Sequence, residues 1–318
     1  MSPDLHRPAG SIGDGRDPVL VTPERAGWRF TGLRVIELPP GGRRTLQTGT
    51  TEMVVLPLTG AATVECEQKR FDLAGRRSVF ERVTDFCYLP IDAEVRIESP
   101  TGGEFALPTA QASRRLDPAY GPAEEVPIEV RGAGVCTRQV TNFMSPEAFP
   151  ADRLVAVEVL TPEGNWSSYP PHKHDTEDHQ CEEAILEEIY YFRIALSSGG
   201  AATAPLEPPM RRVRAEGAQR AAPPTPFAIH RTYAADGEFD MTVTVRDGDV
   251  FLIPRGYHGP SIAAPGFDLY YLNVLAGPAA ERTMAFCDDP SYAWVRETWS
   301  EMPTDPRVPM TSEKGALP

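Results

Sequence analysis

The sequence predicts an all-β protein on three observations. Short runs such as Leu33-Arg34-Val35-Ile36-Glu37-Leu38 and Ala93-Glu94-Val95-Arg96-Ile97-Glu98 alternate apolar and polar residues, the period of a half-buried strand. Gly, Pro and Asp punctuate nearly every run, the pattern of a sandwich or barrel. The first half carries no long amphipathic helical period.

In chain order, residues 1–25 are rich in Gly, Pro, Asp and Arg and read as a mobile tail. Strands are then expected at Leu33–Leu38, Glu52–Leu58, Ala62–Cys66, Phe86–Pro90 and Ala93–Glu98. A second half starts near Pro127, with strands at Val135–Val140 and Leu154–Leu160. Residues 197–226, dense in Ala, Pro, Gly and Arg, read as an insertion whose apolar pattern is too sparse to join a core. Strands resume at Phe227–Tyr233, Asp240–Val245, Asp249–Ile253 and Phe267–Val274, with Asp247-Gly248 marking a tight turn. Ser291–Thr298 suits a short helix, and residues 301–318 read as a fraying tail.

Composition removes several classes. The 318 residues suffice for one large domain or two ordinary ones. Acidic residues outnumber basic ones, 45 to 31, giving a net charge of −14; without any Lys/Arg run, no nucleic-acid partner is expected. No apolar run reaches the length of a membrane span and the start has no apolar leader core, so a cytoplasmic protein is expected. The five cysteines are odd in number, far apart and without a Cys-x-x-Cys, which predicts free thiols in a reducing compartment.

The chemistry concentrates in two stretches. In an extended chain His172 and His174 point the same way. Glu187-Glu188-Ile189-Tyr190-Tyr191 follows, and Gly248-x5-Pro254-x-Gly256-x-His258 supplies a third imidazole. Three imidazoles and one carboxylate make a four-ligand site for one divalent metal ion, and zinc, manganese, iron and nickel all suit such donors. Only one of Glu187 and Glu188 can face inward on a strand.

These motifs resemble the two signature motifs of the cupin superfamily. The flanking words Trp166-Ser167-Ser168-Tyr169-Pro170-Pro171-His172-Lys173-His174-Asp175, Leu186-Glu187-Glu188-Ile189-Tyr190-Tyr191 and Pro254-Arg255-Gly256-Tyr257-His258 resemble, more narrowly, the 5-deoxy-glucuronate isomerases of myo-inositol catabolism. The ketol-isomerases of 5-keto-4-deoxyuronate are similar at a greater distance. The resemblance runs from about Gly27 to Arg296. It implies a bicupin of two antiparallel jelly-roll barrels, degenerate over 26–126 and metal-binding over 127–300, in a homo-oligomer. The first half has no histidine after His6; its Glu52-Met53-Val54-Val55 echoes Glu188-Ile189-Tyr190-Tyr191, and Phe86–Pro90 echoes the second motif.

The resemblance also implies roles. The ligand opens the apolar strand in this superfamily, which favours Glu188, with Glu187 as the alternative. The substrate is a small anionic sugar acid, 5-deoxy-D-glucuronate, isomerised to 5-dehydro-2-deoxy-D-gluconate. An arginine must hold its carboxylate; Arg255, beside the third ligand, is favoured over Arg193 and Arg138. Tyr190 and Tyr257 are candidates for hydrogen-bonding a substrate hydroxyl or moving a proton, and Asp175 for orienting an imidazole. The general base stays open among Tyr190, a metal-bound hydroxide and a non-ligating carboxylate. Two other classes share the ligand set: an iron dioxygenase, told apart by oxygen uptake, and a sugar-binding cupin, told apart by a lack of turnover.

Overall fold

The computed structural model describes residues 4–177, 183–197 and 225–311; the expected insertion at 197–226 lies almost entirely outside them. Strands dominate, as the alternating runs predict, and they curl into two antiparallel barrels. The first is a nine-stranded sheet, and the second combines a seven-stranded with a six-stranded sheet.

One long strand, Thr51–Cys66, closes the first barrel. Its first half pairs with Phe86–Leu89 and Gly103–Gln111, and its second half with Lys69–Arg76 and Glu94–Ser99. The strand turns from one set of partners to the other at Gly60, where φ is +82° and a Cβ would lie 2.2 Å from the Gly102 carbonyl oxygen. Only glycine fits both demands. In the second barrel Glu187–Leu196 lies between Val250–Ile253 and Phe267–Ala276. Arg138–Met144 and Val155–Thr161 extend this sheet beyond Phe267–Ala276. His172–Lys173 belongs to the facing sheet and pairs with Tyr257–Ala263.

Three large apolar cores follow from this arrangement. Met53, Val55, Cys87, Val95 and Phe105 fill the first barrel. Val157, Tyr190, Phe192, Phe251 and Tyr271 belong to the interior of the second. Leu56, Val54, Tyr191, Leu252 and Leu272 form a seam between the two barrels. The buried Arg76 of the first barrel crosses to Glu158 of the second, which also accepts the Tyr270 hydroxyl at 2.8 Å.

Two carboxylates clasp the barrels in opposite directions. Glu52 accepts the backbone N–H groups of Asp152, Arg153 and Leu154 at 2.8, 2.6 and 2.6 Å, just before Val155–Thr161 begins. Glu187 accepts those of Arg29, Phe30 and Thr31 at 2.7, 2.7 and 2.9 Å, where Thr31–Leu38 begins. The counterpart of Glu52 is therefore Glu187, not Glu188 as the sequence echo suggests.

The ends of the chain correct the sequence reading. Residues 1–25 are no mobile tail where described: His6–Arg7 pairs with Val250–Phe251, Val19–Val21 pairs with Leu33–Val35, and Leu5 is buried. The distal tail is held as far as Thr311, since Gln139 donates to the Thr311 hydroxyl at 2.6 Å and accepts the Met310 N–H at 2.8 Å. Cys66, Cys87 and Cys136 are free, as expected, but Cys287 is disulfide-bonded, against the expectation of thiols throughout; Cys181 lies outside the described residues. Among the described residues no helix is long and apolar enough to cross a membrane.

Candidate metal centre

Strand parity brings the centre together. Glu187–Leu196 turns Glu188 and Tyr190 into the second barrel and Glu187 and Tyr191 toward the first. His172 sits directly across from His258 in the facing sheet. The ligand atoms of His174, Glu188 and His258 all lie within 4.8 Å of one another, and all three residues are buried. Glu188 Oε2 is 2.9 Å from His174 Nε2 and 3.1 Å from His258 Nε2. The His172 ring stands 4.4 Å from that of His258, edge-on, beside this trio.

The imidazoles are held in one tautomeric sense. Nδ1 of His174 is 2.9 Å from the Leu186 carbonyl oxygen; Nδ1 of His172 and of His258 are 3.3 Å from those of Pro170 and Gly256. A proton on each Nδ1 leaves each Nε2 as the donor atom for a metal. His258 Nε2 is buried and makes no aligned hydrogen bond, although it lies close to Glu188. A buried polar atom without a partner costs stability unless something binds it. The residues fit a divalent ion with borderline nitrogen and oxygen donors.

Electrostatics tie the carboxylate to the imidazoles. Burial would raise the Glu188 carboxyl, but His258 and His174 outweigh it and hold the group below the usual carboxylate range. Burial, with His258 and His174 nearby, pushes His172 well down, so its imidazole is neutral. His230 is also neutral: burial and His258 lower it, and its Nδ1 is engaged with the Ser261 hydroxyl at 2.9 Å. It packs on Tyr190 and Phe251 as a core histidine.

A cavity opens beside the trio, lined by His172, His174, Glu188, Tyr190, Tyr271 and Arg138 among others. The Ser168 hydroxyl bridges Tyr190 and Tyr271, 2.9 and 3.1 Å from their hydroxyls. Ser168 has φ +46°, a costly conformation for a residue with a side chain. Gly259 permits it, since a Cβ there would lie 1.7 Å from the Ser168 carbonyl oxygen. Burial, then the nearby Glu188 charge, raise the Tyr190 phenol far above its ordinary value, so it keeps its proton.

Other expected residues stand elsewhere. Arg255 is on the surface, bonded to Asp236 and Glu238, and does not line the cavity. It is 41% exposed, too open for a closed carboxylate clamp. Arg193 is spent on Glu104 and Asp247. Tyr257 packs on Tyr233 at 5.4 Å, outside the cavity. Among the described residues Asp175 makes no hydrogen bond to an imidazole; it accepts the Gly256 N–H at 2.7 Å and pairs with Lys173 at 2.8 Å. It pins the turn before His258, while the backbone carbonyls orient the rings. Ser168 and Asn273 were not singled out by sequence reasoning; the first sits in the motif flank, and the second lacks any local signal.

Comparison with known proteins shows the family of the chain. The KduI/IolB family pattern matches residues 5–295. The chain is 38% identical over 293 residues to the 5-deoxy-glucuronate isomerase of Geobacillus kaustophilus, covering 92% of this chain and 95% of that one. It is 34% identical to the 5-deoxy-glucuronate isomerase of Bacillus velezensis, covering 93% and 100%. An iolb-like protein from Salmonella typhimurium LT2 superposes with a TM-score of 0.77 at 30% identity, covering 92% and 99%. Lactobacillus farciminis oxalate decarboxylase shares the fold, with a TM-score of 0.59 at 13% identity over 88% of each chain.

Proposed function

Because the chain belongs to the KduI/IolB family, we propose that it is an aldose–ketose isomerase that converts 5-deoxy-D-glucuronate to 5-dehydro-2-deoxy-D-gluconate. One divalent ion, of the zinc, manganese, iron or nickel class, is held by His172, His174, Glu188 and His258. The observation that carries this reading is the buried His174–Glu188–His258 trio, of which His174 and Glu188 line a cavity with paired tyrosine hydroxyls.

The reaction moves a proton between adjacent carbons and leaves composition unchanged. When bound, the ion supplies Lewis-acid stabilisation of the negative charge that develops on the sugar oxygens. The chain's own groups do the rest. Val140, Val157, Val159 and Leu275 wall the cavity and exclude water from the reacting carbons. The protonated Tyr190 hydroxyl donates a hydrogen bond to a substrate oxygen and is aimed by Ser168. The Ser168 hydroxyl also joins Tyr190 to Tyr271, which fixes the direction of the Tyr190 O–H.

The test is conversion of 5-deoxy-D-glucuronate followed by NMR, alongside metal analysis of the purified protein. Turnover without oxygen uptake, lost on chelation and restored by a divalent ion, is the expected result. Oxygen consumption with substrate would place the chain among the dioxygenases, and no conversion in the metal-loaded protein would end the isomerase reading.

A further inference from the structure

The cavity contains a cation that, among the described residues, has no carboxylate paired with it. Arg131 and Arg138 line it, and Arg296 stacks at 5.3 Å on Phe286, which lines it too. Arg131 is neutralised by Glu129 through contacts of 2.8 and 2.6 Å. Arg296 is neutralised by both oxygens of Asp288. Arg138 donates to the Cys136 carbonyl oxygen at 3.0 Å and stacks over Trp299 at 5.4 Å. Among the described residues no carboxylate makes an ion pair with it, and it is only 4% exposed.

An uncompensated buried guanidinium is costly. Burial pushes Arg138 down to about 10, still protonated at neutral pH. Glu188 is the one carboxylate among the described residues lining the cavity, and it faces His174 and His258. The cavity therefore has room for one more negative charge, and the rest of the Arg138 guanidinium fork is free to bind it. Arg138 lies on the third strand from that of Glu188: Phe267–Ala276 and Val155–Thr161 stand between. Different strands would then hold the two ends of a bound acid.

We propose that Arg138 binds the carboxylate of the substrate and is the residue by which the site selects a uronate over a neutral sugar. This rests on the isomerase reading for the identity of the acid. The fork offers two parallel donors to a carboxylate, which a neutral CH2OH group cannot accept as well. The contact is present in the bound ground state and in the transition state, so its loss falls on KM more than on kcat.

The test compares 5-deoxy-D-glucuronate with 5-deoxy-D-glucose, its CH2OH analogue, in the metal-loaded wild type, Arg138→Gln and Arg138→Lys. Binding is measured by calorimetry and turnover by NMR. Arg138→Gln should weaken acid binding and raise its KM about ten- to hundredfold, with binding of the alcohol changed less than about twofold. Arg138→Lys should recover part of the acid affinity. Equal losses for acid and alcohol, or no loss for either, overturn the proposal. If neither variant folds, the wild type decides: equal affinity for acid and alcohol overturns it, and at least tenfold preference for the acid supports it. A wild type that binds the acid through Arg138 without converting it would refute the isomerase reading and leave this binding role standing. Conversion unaffected by Arg138→Gln would do the reverse.

Discussion

In the first barrel Met53 pairs with Leu89; in the second Glu188 pairs with Ile253 at the same place in the same pair of strands. Leu46 pairs with Val95 where His172 pairs with His258. Two residues beyond Leu46, as His174 is beyond His172, stands Thr48, whose hydroxyl is spent on the Ala93 N–H at 2.9 Å. Met53, Val95 and Leu46 belong to one apolar core. Where one barrel gathers three imidazoles and a carboxylate, the other packs a leucine, a threonine, a methionine and a valine. A barrel of this kind can close its interior with dispersion contacts or leave it open around polar donors. The backbone pairing is common to both; the four side chains decide.

The sharpest way to break that comparison is Glu188→Met, which gives the second barrel the residue of the first. Metal content should fall to near zero, and turnover by more than the ~10–100-fold typical of outer partners of a metal ligand. Retained metal and activity would mean that Glu188 is not a ligand. The reverse exchange, Met53→Glu, buries a charge among apolar neighbours with no imidazole to meet it. It should gain no metal and lower the denaturation midpoint by more than any other change named here except loss of the fold itself.

Next in size are Glu187→Gln and Glu52→Gln, which weaken the two clasps. Each should cost about 1–3 kcal/mol in unfolding free energy, because charge-assisted bonds to three N–H groups become neutral or are lost. Metal content should stay full in both. If Glu187→Gln instead emptied the metal site, the strand would face the other way and the equivalence of Glu52 with Glu187 would fail. The smallest effect is expected for Arg255→Lys. Its ion pairs with Asp236 and Glu238 are exposed, so kcat and KM should hold within about twofold.

Much of this was legible because strands count by two. The spacing of His172 and His174, and the position of Glu188 in an apolar run, carry their orientation in the sequence itself. Arg138 carries no such mark. It faces the cavity because Arg138–Met144 pairs with Val155–Thr161 in one register, a fact of sheet assembly. Arg255 misled by adjacency: three residues from His258 in the chain, it falls in the turn that precedes the strand and meets solvent-side acids. The N-terminal stretch misled by composition. Its Gly, Asp and Pro content is that of a loose tail, yet Leu5, Val19 and Val21 are buried by pairing with distant strands.

The crossed clasps have a thermodynamic consequence. In each barrel the start of one strand is held by an acid from the other barrel, so a cut near Pro127 would strand three N–H groups on either side and bare the apolar seam. The two barrels should melt in a single transition, with neither half persisting alone. An ion held as proposed by the folded second barrel would then raise the free energy of unfolding for the whole chain. With the proposed ion in place, the barrel without imidazoles would be protected from denaturation by a metal it never touches.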